Sequence, residues 1–87
     1  MPIETKELNK YSENVFNAIN KYYNSQDDID ENYEEFCKKV DAYFKLKIEK
    51  KFITPEEASS NIKQLKYDVY SYKNDNIEPK KAPLNYM

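Results

Sequence analysis

Glycine, histidine, arginine and tryptophan are all missing from this 87-residue chain. Each absence removes a piece of chemistry. Without glycine there is no backbone loop of the kind that closes on a phosphate. Without histidine the commonest general base and metal ligand is gone, and without arginine there is no planar fork to clamp a carboxylate or phosphate. The single cysteine, Cys37, cannot close an internal disulfide, and no histidine stands ready to activate its thiol. Zinc would find one thiolate and otherwise only carboxylates. No apolar run approaches the roughly 20 residues that span a bilayer. Residues 1–6 carry no signal-peptide apolar stretch, so the cytoplasm is the expected location. Catalysis and cofactor binding are therefore not expected.

What the chain does have is tyrosine, nine copies in a total of thirteen aromatic residues. Tyrosine offers a large amphipathic contact area with few rotamers to freeze, which suits docking to another protein. Charge is nearly balanced, 16 acids against 14 lysines, for a net −2, so there is no global attraction to nucleic acid or anionic lipid. Lysine, asparagine, tyrosine and isoleucine account for 40 of the 87 residues, the composition of an AT-rich gene. By association, this favours mobile elements such as phages, plasmids and toxin–immunity cassettes. A domain this small buries only about 60% of the surface its unfolded chain exposes, so a thin core and no deep cavity are expected.

Hydrophobic spacing predicts three helices, at about 5–24, 29–51 and 55–74. Leu8, Tyr11, Val15, Ala18, Ile19 and Tyr22 recur at intervals of three and four, one stripe of an amphipathic helix, with Phe16 and Tyr23 on its flank. A polar break from Asn24 to Asp28 follows. Asp28 and Glu31 have the spacing of a capping box, and Tyr33, Phe36, Cys37, Val40, Tyr43 and Phe44 form the second stripe. Lys45, Lys47, Lys50 and Lys51 gather where that helix ends and its dipole is negative. The strongest local signal is Thr54-Pro55-Glu56-Glu57, an N-cap threonine with proline at the first helical position and glutamate at the third. Ile53 and Ala58 have the spacing of a hydrophobic staple around it. Ala58, Ile62, Leu65, Val69 and Tyr72 then mark the third seam.

Short connections between amphipathic helices point to an all-α fold, a small antiparallel three-helix bundle over residues 1–76. The prolines of 77–87 forbid a further helix and leave an extended C-terminal tail. Its apolar Ile77, Leu84, Tyr86 and Met87 can pack back on the bundle or reach another chain. With no glycine, helix ends must close through asparagine or water, helped by lysine.

Two surface features are candidates for partner binding. Asp27, Asp28, Asp30, Glu31, Glu34 and Glu35 place six acids in nine residues with no lysine among them, a local field suited to a basic partner. Ordinary helix-start chemistry accounts for several of these. Tyr67 falls opposite the third seam and Tyr70 beside it, with Ser60, Lys63, Ser71 and Asn74 on the same outer face. Calcium is a poor fit, because an EF-hand reading puts Tyr33 at the required glycine and Lys39 at the closing glutamate. The six lysines between Lys38 and Lys51 are interrupted by Asp41 and Glu49, so they make a weak phosphate track.

The function expected from these features is a small inhibitor of the immunity or antitoxin type. It would bind a partner toxin enzyme, a nuclease above all, and occlude its active site. Two alternatives are a self-assembling helical adaptor or chaperone module, and a phage-type anti-defence protein. The sequence leaves open whether the acidic and tyrosine features share one face.

Overall fold

In a computed structural model, which describes residues 2–79 and 82–87, the chain forms three α-helices and one short 3₁₀ turn. Helix α1 spans Pro2–Tyr23, α2 Ile29–Glu49 and α3 Pro55–Asp75, and the 3₁₀ turn is Pro83–Tyr86. No strand is present among the described residues. The expected all-α bundle is therefore the fold. Helix α1 starts three residues before the expected boundary near residue 5, with proline at its first position, where a missing N–H costs nothing.

Each stripe becomes one wall of the core. Val15, Ala18, Ile19 and Tyr22 from α1 meet Phe36, Val40, Tyr43 and Phe44 from α2, and Ala58, Leu65 and Val69 from α3 complete it. Helices α1 and α2 share the most extensive interface, and α3 lies on the pair. Burying a side chain such as Phe44 or Leu65 stabilises the fold by roughly 1.5–3 kcal/mol. Phe16 and Tyr23 are half-buried and widen the core rather than facing solvent.

The two connections close differently. At the end of α2, Lys51 takes a left-handed φ of 62°, the N–H of Phe52 donates to the Lys47 carbonyl (2.9 Å) and that of Lys51 to Ile48 (3.0 Å). This is a Schellman closure with lysine standing where glycine is usual. Immediately after it, the Glu57 N–H donates to Thr54 Oγ1 (3.2 Å) and the Thr54 N–H to Glu57 Oε1 (3.4 Å), the expected capping box. Ile53 and Ala58 both join the apolar cluster beneath.

The start of α2 departs from expectation. Asp28 is the N-cap, but its backbone (φ −115°, ψ 35°) lies outside the extended region that aims a capping side chain, and its carboxylate caps nothing. The expected Asp28/Glu31 box does not form. Instead, side chains from elsewhere hold this corner. Ser25 Oγ donates to the Lys21 carbonyl (2.9 Å), and buried Asn32 Nδ2 donates to Ser25 Oγ (2.7 Å). Lys73, from α3, donates to the carbonyls of Tyr23 (2.9 Å) and Ser25 (2.7 Å). A lysine ammonium thus sits at the negative end of the α1 dipole.

Helix α3 ends at Asn76, whose φ of 55° supplies the left-handed cap in a chain without glycine. The tail, which includes the 3₁₀ turn Pro83–Tyr86, then packs back on its own bundle. Tyr86 donates its hydroxyl to Asp68, and both Tyr43 Oη (3.0 Å) and Lys47 Nζ donate to the main-chain oxygen of Met87. Tyr86 and Met87 pack against the core. Lys80, Lys81 and the side chain of Leu84, also expected in this tail, lie outside the described residues.

Two expectations for α3 are corrected. Tyr72 is 41% exposed rather than a seam residue, because its ring lies against Tyr23 at the rim (centroids 4.8 Å apart). Ser71 is only 4% exposed rather than on the outer face. The helical wheel could not see the returning chain, which bonds the Ile77 N–H to the Ser71 carbonyl (3.2 Å) and brings Tyr86 to Asp68.

Candidate functional site

The turn from α1 to α2 and the end of α3 meet at one pole of the bundle, and most of the candidate residues converge there. Helix α2 carries Asp30, Tyr33 and Glu34 on neighbouring positions of one face, because residues three and four apart align on a helix. Helix α3 brings Tyr70 and Asn74, again one turn apart. Together with Tyr22 and Ile29 these residues line a cleft of about 280 Å³. A second, larger depression of about 520 Å³ adjoins it through the shared Ile29, Asp30 and Asn74, and adds Gln26, Asp27, Asp28 and Glu31.

Aromatic contacts hold the smaller cleft in shape. The Tyr33 and Tyr70 rings meet edge to face, 5.6 Å between centroids and 73° between planes. Tyr22 lies 5.2 Å from Tyr33 and stacks parallel to Phe36 at 6.4 Å. Asn74 Nδ2 donates to the Tyr22 hydroxyl (2.7 Å) and to the Tyr70 carbonyl (2.9 Å), tying α3 to α1. Burial pushes the Tyr33 phenol up to about 12, and it raises Tyr22 too, against the lowering effect of its Asn74 hydrogen bond. Both rings are therefore neutral at physiological pH and add no charge to the cleft.

The carboxylates supply the charge. Among the described residues the ion pairs are Lys21 with Glu35 (3.4 Å) and Lys66 with Asp41 (3.1 Å). Glu35 is thus turned to α1, away from the cleft. Asp27, Asp28, Asp30, Glu31 and Glu34 have no lysine partner among the described residues, so no ion pair neutralises them, although Asp30 and Glu31 lie at the positive end of the α2 dipole. They are not a cation cage either: no group of three or more ligating side chains among the described residues is arranged to hold a metal ion.

Tyr70 and the acids thus share one surface, which sequence patterning had left open. Tyr67 stands apart. It is 63% exposed, as its position opposite the seam predicts, but it lines neither depression; Tyr70 is 48% exposed and lines the smaller. Sequence reasoning missed Tyr22, Tyr33 and Asn74 as site residues. The two tyrosines belong to core stripes, and both also line the cleft. Asn74 looks like an ordinary outer-face residue until α1 is placed beside it.

Fold and site together define a small all-α three-helix bundle with an acidic, tyrosine-lined pole. The chain matches no family model, no curated protein and no solved structure. No helix among the described residues is long and apolar enough to cross a membrane.

Proposed function

We propose that the chain is a small protein-binding inhibitor of the immunity or antitoxin type, which neutralises a partner toxin nuclease by covering its active site. The observation that supports this reading is the convergence of Asp30, Glu34, Tyr33 and Tyr70 on one cleft, beside the further acids of the α2 start. A nuclease must bind a phosphate backbone and so presents a basic cleft. Uncompensated carboxylates steer association with such a cleft and reject acidic surfaces. Tyrosines beside them supply contacts that exclude water, the usual source of binding energy at interfaces. The chain acts here by binding, not catalysis, and needs no cofactor. A phage-type anti-defence role would use the same pole against a different target.

The test is capture of the partner on tagged protein at low and high salt, followed by assay of the captured nuclease with and without the chain. Retention of a basic nuclease that is inhibited, with both lost in D30K/E34K, is the expected result. A captured nuclease that stays fully active overturns occlusion. Tyr67→Ala provides a second probe: as an exposed site, its loss changes stability by less than about 0.5 kcal/mol. If the interface extends down α3, the same change weakens binding by more than about 1 kcal/mol.

A self-assembling adaptor or chaperone is the second reading, and one observation favours it. At the opposite pole Ile48, Pro55, Ala58 and Ile62 line an apolar groove of about 440 Å³ next to Lys63 and Lys66, and Phe52 nearby is half-exposed. The tail, the other surface suited to self-association, has Tyr86 and Met87 engaged with its own bundle. Sedimentation as a monomer at micromolar concentration would remove this reading.

A further inference from the structure

We propose that the cleft between Tyr33 and Tyr70 is a receptor for a single arginine side chain of the partner protein, with Asp30 and Glu34 as its counter-charges. The inference rests on reading this pole as a docking surface, and it names the group that enters. The Tyr33 and Tyr70 rings meet edge to face, at 73° with centroids 5.6 Å apart, and aromatic surface of both helices borders one space of about 280 Å³. A cation against such faces is attracted to the ring quadrupole. Asp30 and Glu34 lie one helical turn apart on the same rim, and no lysine pairs with either among the described residues. The site therefore combines aromatic walls with negative charge that the chain does not neutralise for itself. Its walls are also preorganised: Asn74 holds both the Tyr22 hydroxyl and the Tyr70 backbone, so little order has to be created on binding.

Arginine suits this arrangement better than lysine. Its guanidinium is planar, stacks on aromatic faces, sheds water more readily than an ammonium and offers a donor fork to carboxylates. Asp30 and Glu34 can each take one edge of that fork while the plane lies on a tyrosine. The chain contains no arginine of its own, so no internal copy competes for the cleft.

The probe is N-acetyl-arginine methylamide, titrated against the full isotope-labelled chain by NMR, with the citrulline and lysine derivatives as controls. The expected result is saturable shifts centred on Asp30, Tyr33, Glu34 and Tyr70 with arginine, weaker with lysine and absent with citrulline. Tyr70→Leu weakens the arginine response about fivefold and Tyr70→Phe retains it, since phenylalanine keeps the π-face. Tyr70 is half-exposed, so both variants should fold, and their helical circular dichroism verifies this. Shifts spread evenly over all the acids of residues 27–35, unchanged in Tyr70→Leu or equal for citrulline, would overturn the proposal, as would lysine binding as well as arginine. The outcome is separable from that of the inhibitor reading. A chain that inhibits its nuclease while its cleft ignores arginine keeps the inhibitor and loses the receptor. Specific arginine binding by a chain that inhibits nothing does the reverse.

Discussion

The two corners of this bundle join similar helices through connections of equal length, yet only one of them draws on side chains from distant helices. The 50–54 corner is closed by its own residues: a left-handed Lys51, the Thr54/Glu57 box and Pro55 at the first helical position. The 24–28 corner adds to its local bonds others from a distance, from Asn32 of α2 to Ser25 and from Lys73 of α3 to the carbonyls of Tyr23 and Ser25. A corner closed locally leaves its surroundings free to vary. One closed by three helices is rigid only when all three are in place, and the candidate site sits at that second corner. The carboxylates at the start of α2 are thereby released from capping and left facing solvent, where they can meet a partner.

The sharpest way to break the contrast is alkaline titration, which acts on the distant corner. Burial holds both Tyr23 and Tyr33 up to about 12 against an ordinary 10.0. A phenol whose folded pKa is raised binds its proton more tightly in the folded state than in the unfolded one. That stabilisation is complete below pH 10 and is lost as pH rises through about 12. Thermal melts across this window should show a steep fall in Tm, made shallower by Tyr23→Phe and Tyr33→Phe; an unchanged slope in the double variant would show that these two phenols are not its cause.

Next in size is Leu65→Ala, at the fully buried centre that both corners share. It should cost about 2–5 kcal/mol in urea unfolding, the range for a leucine cavity. Asn32→Ala should follow, at roughly 1–3 kcal/mol, since it removes a buried amide and leaves Ser25 Oγ without its donor. Hydrogen exchange should show the loosening at residues 21–34 and not at 50–57; uniform loosening would mean the corners are one cooperative unit. The smallest effect, and the only gain, is expected for Lys51→Gly. Relief of the left-handed backbone should stabilise the local corner by about 0.5–1 kcal/mol in the same denaturant measurement, without altering the acidic pole.

Much of the architecture was legible in the residue order. Three stripes, the Thr54-Pro55 start and the proline-containing tail are short-range patterns, and short-range sterics and periodicity suffice to read them. The exposed Tyr67 also followed from the wheel. The wheel failed at Ser71 and Tyr72, because a returning tail and a neighbouring aromatic ring alter burial without changing helical phase. It failed at Asp28 for a related reason. An N-cap side chain works only from an extended backbone, and the conformation at Asp28 is set by the turn that docks α1 on α2.

The candidate site divides along the same line. Its acids could be counted from the sequence, because charge density along a chain needs no fold to define it. Their union with Tyr70, and the parts played by Tyr22, Tyr33 and Asn74, depend on α3 returning beside α1 and α2. Tyr22 and Asn74, for example, are 52 positions apart, and no local periodicity relates them. Sequence alone determined the helices and where charge lies along them, since both are set by neighbours within a few residues. Tertiary packing decided which aromatic edges, carboxylates and lysines face one another, because only the folded chain brings distant residues into one space and excludes water between them.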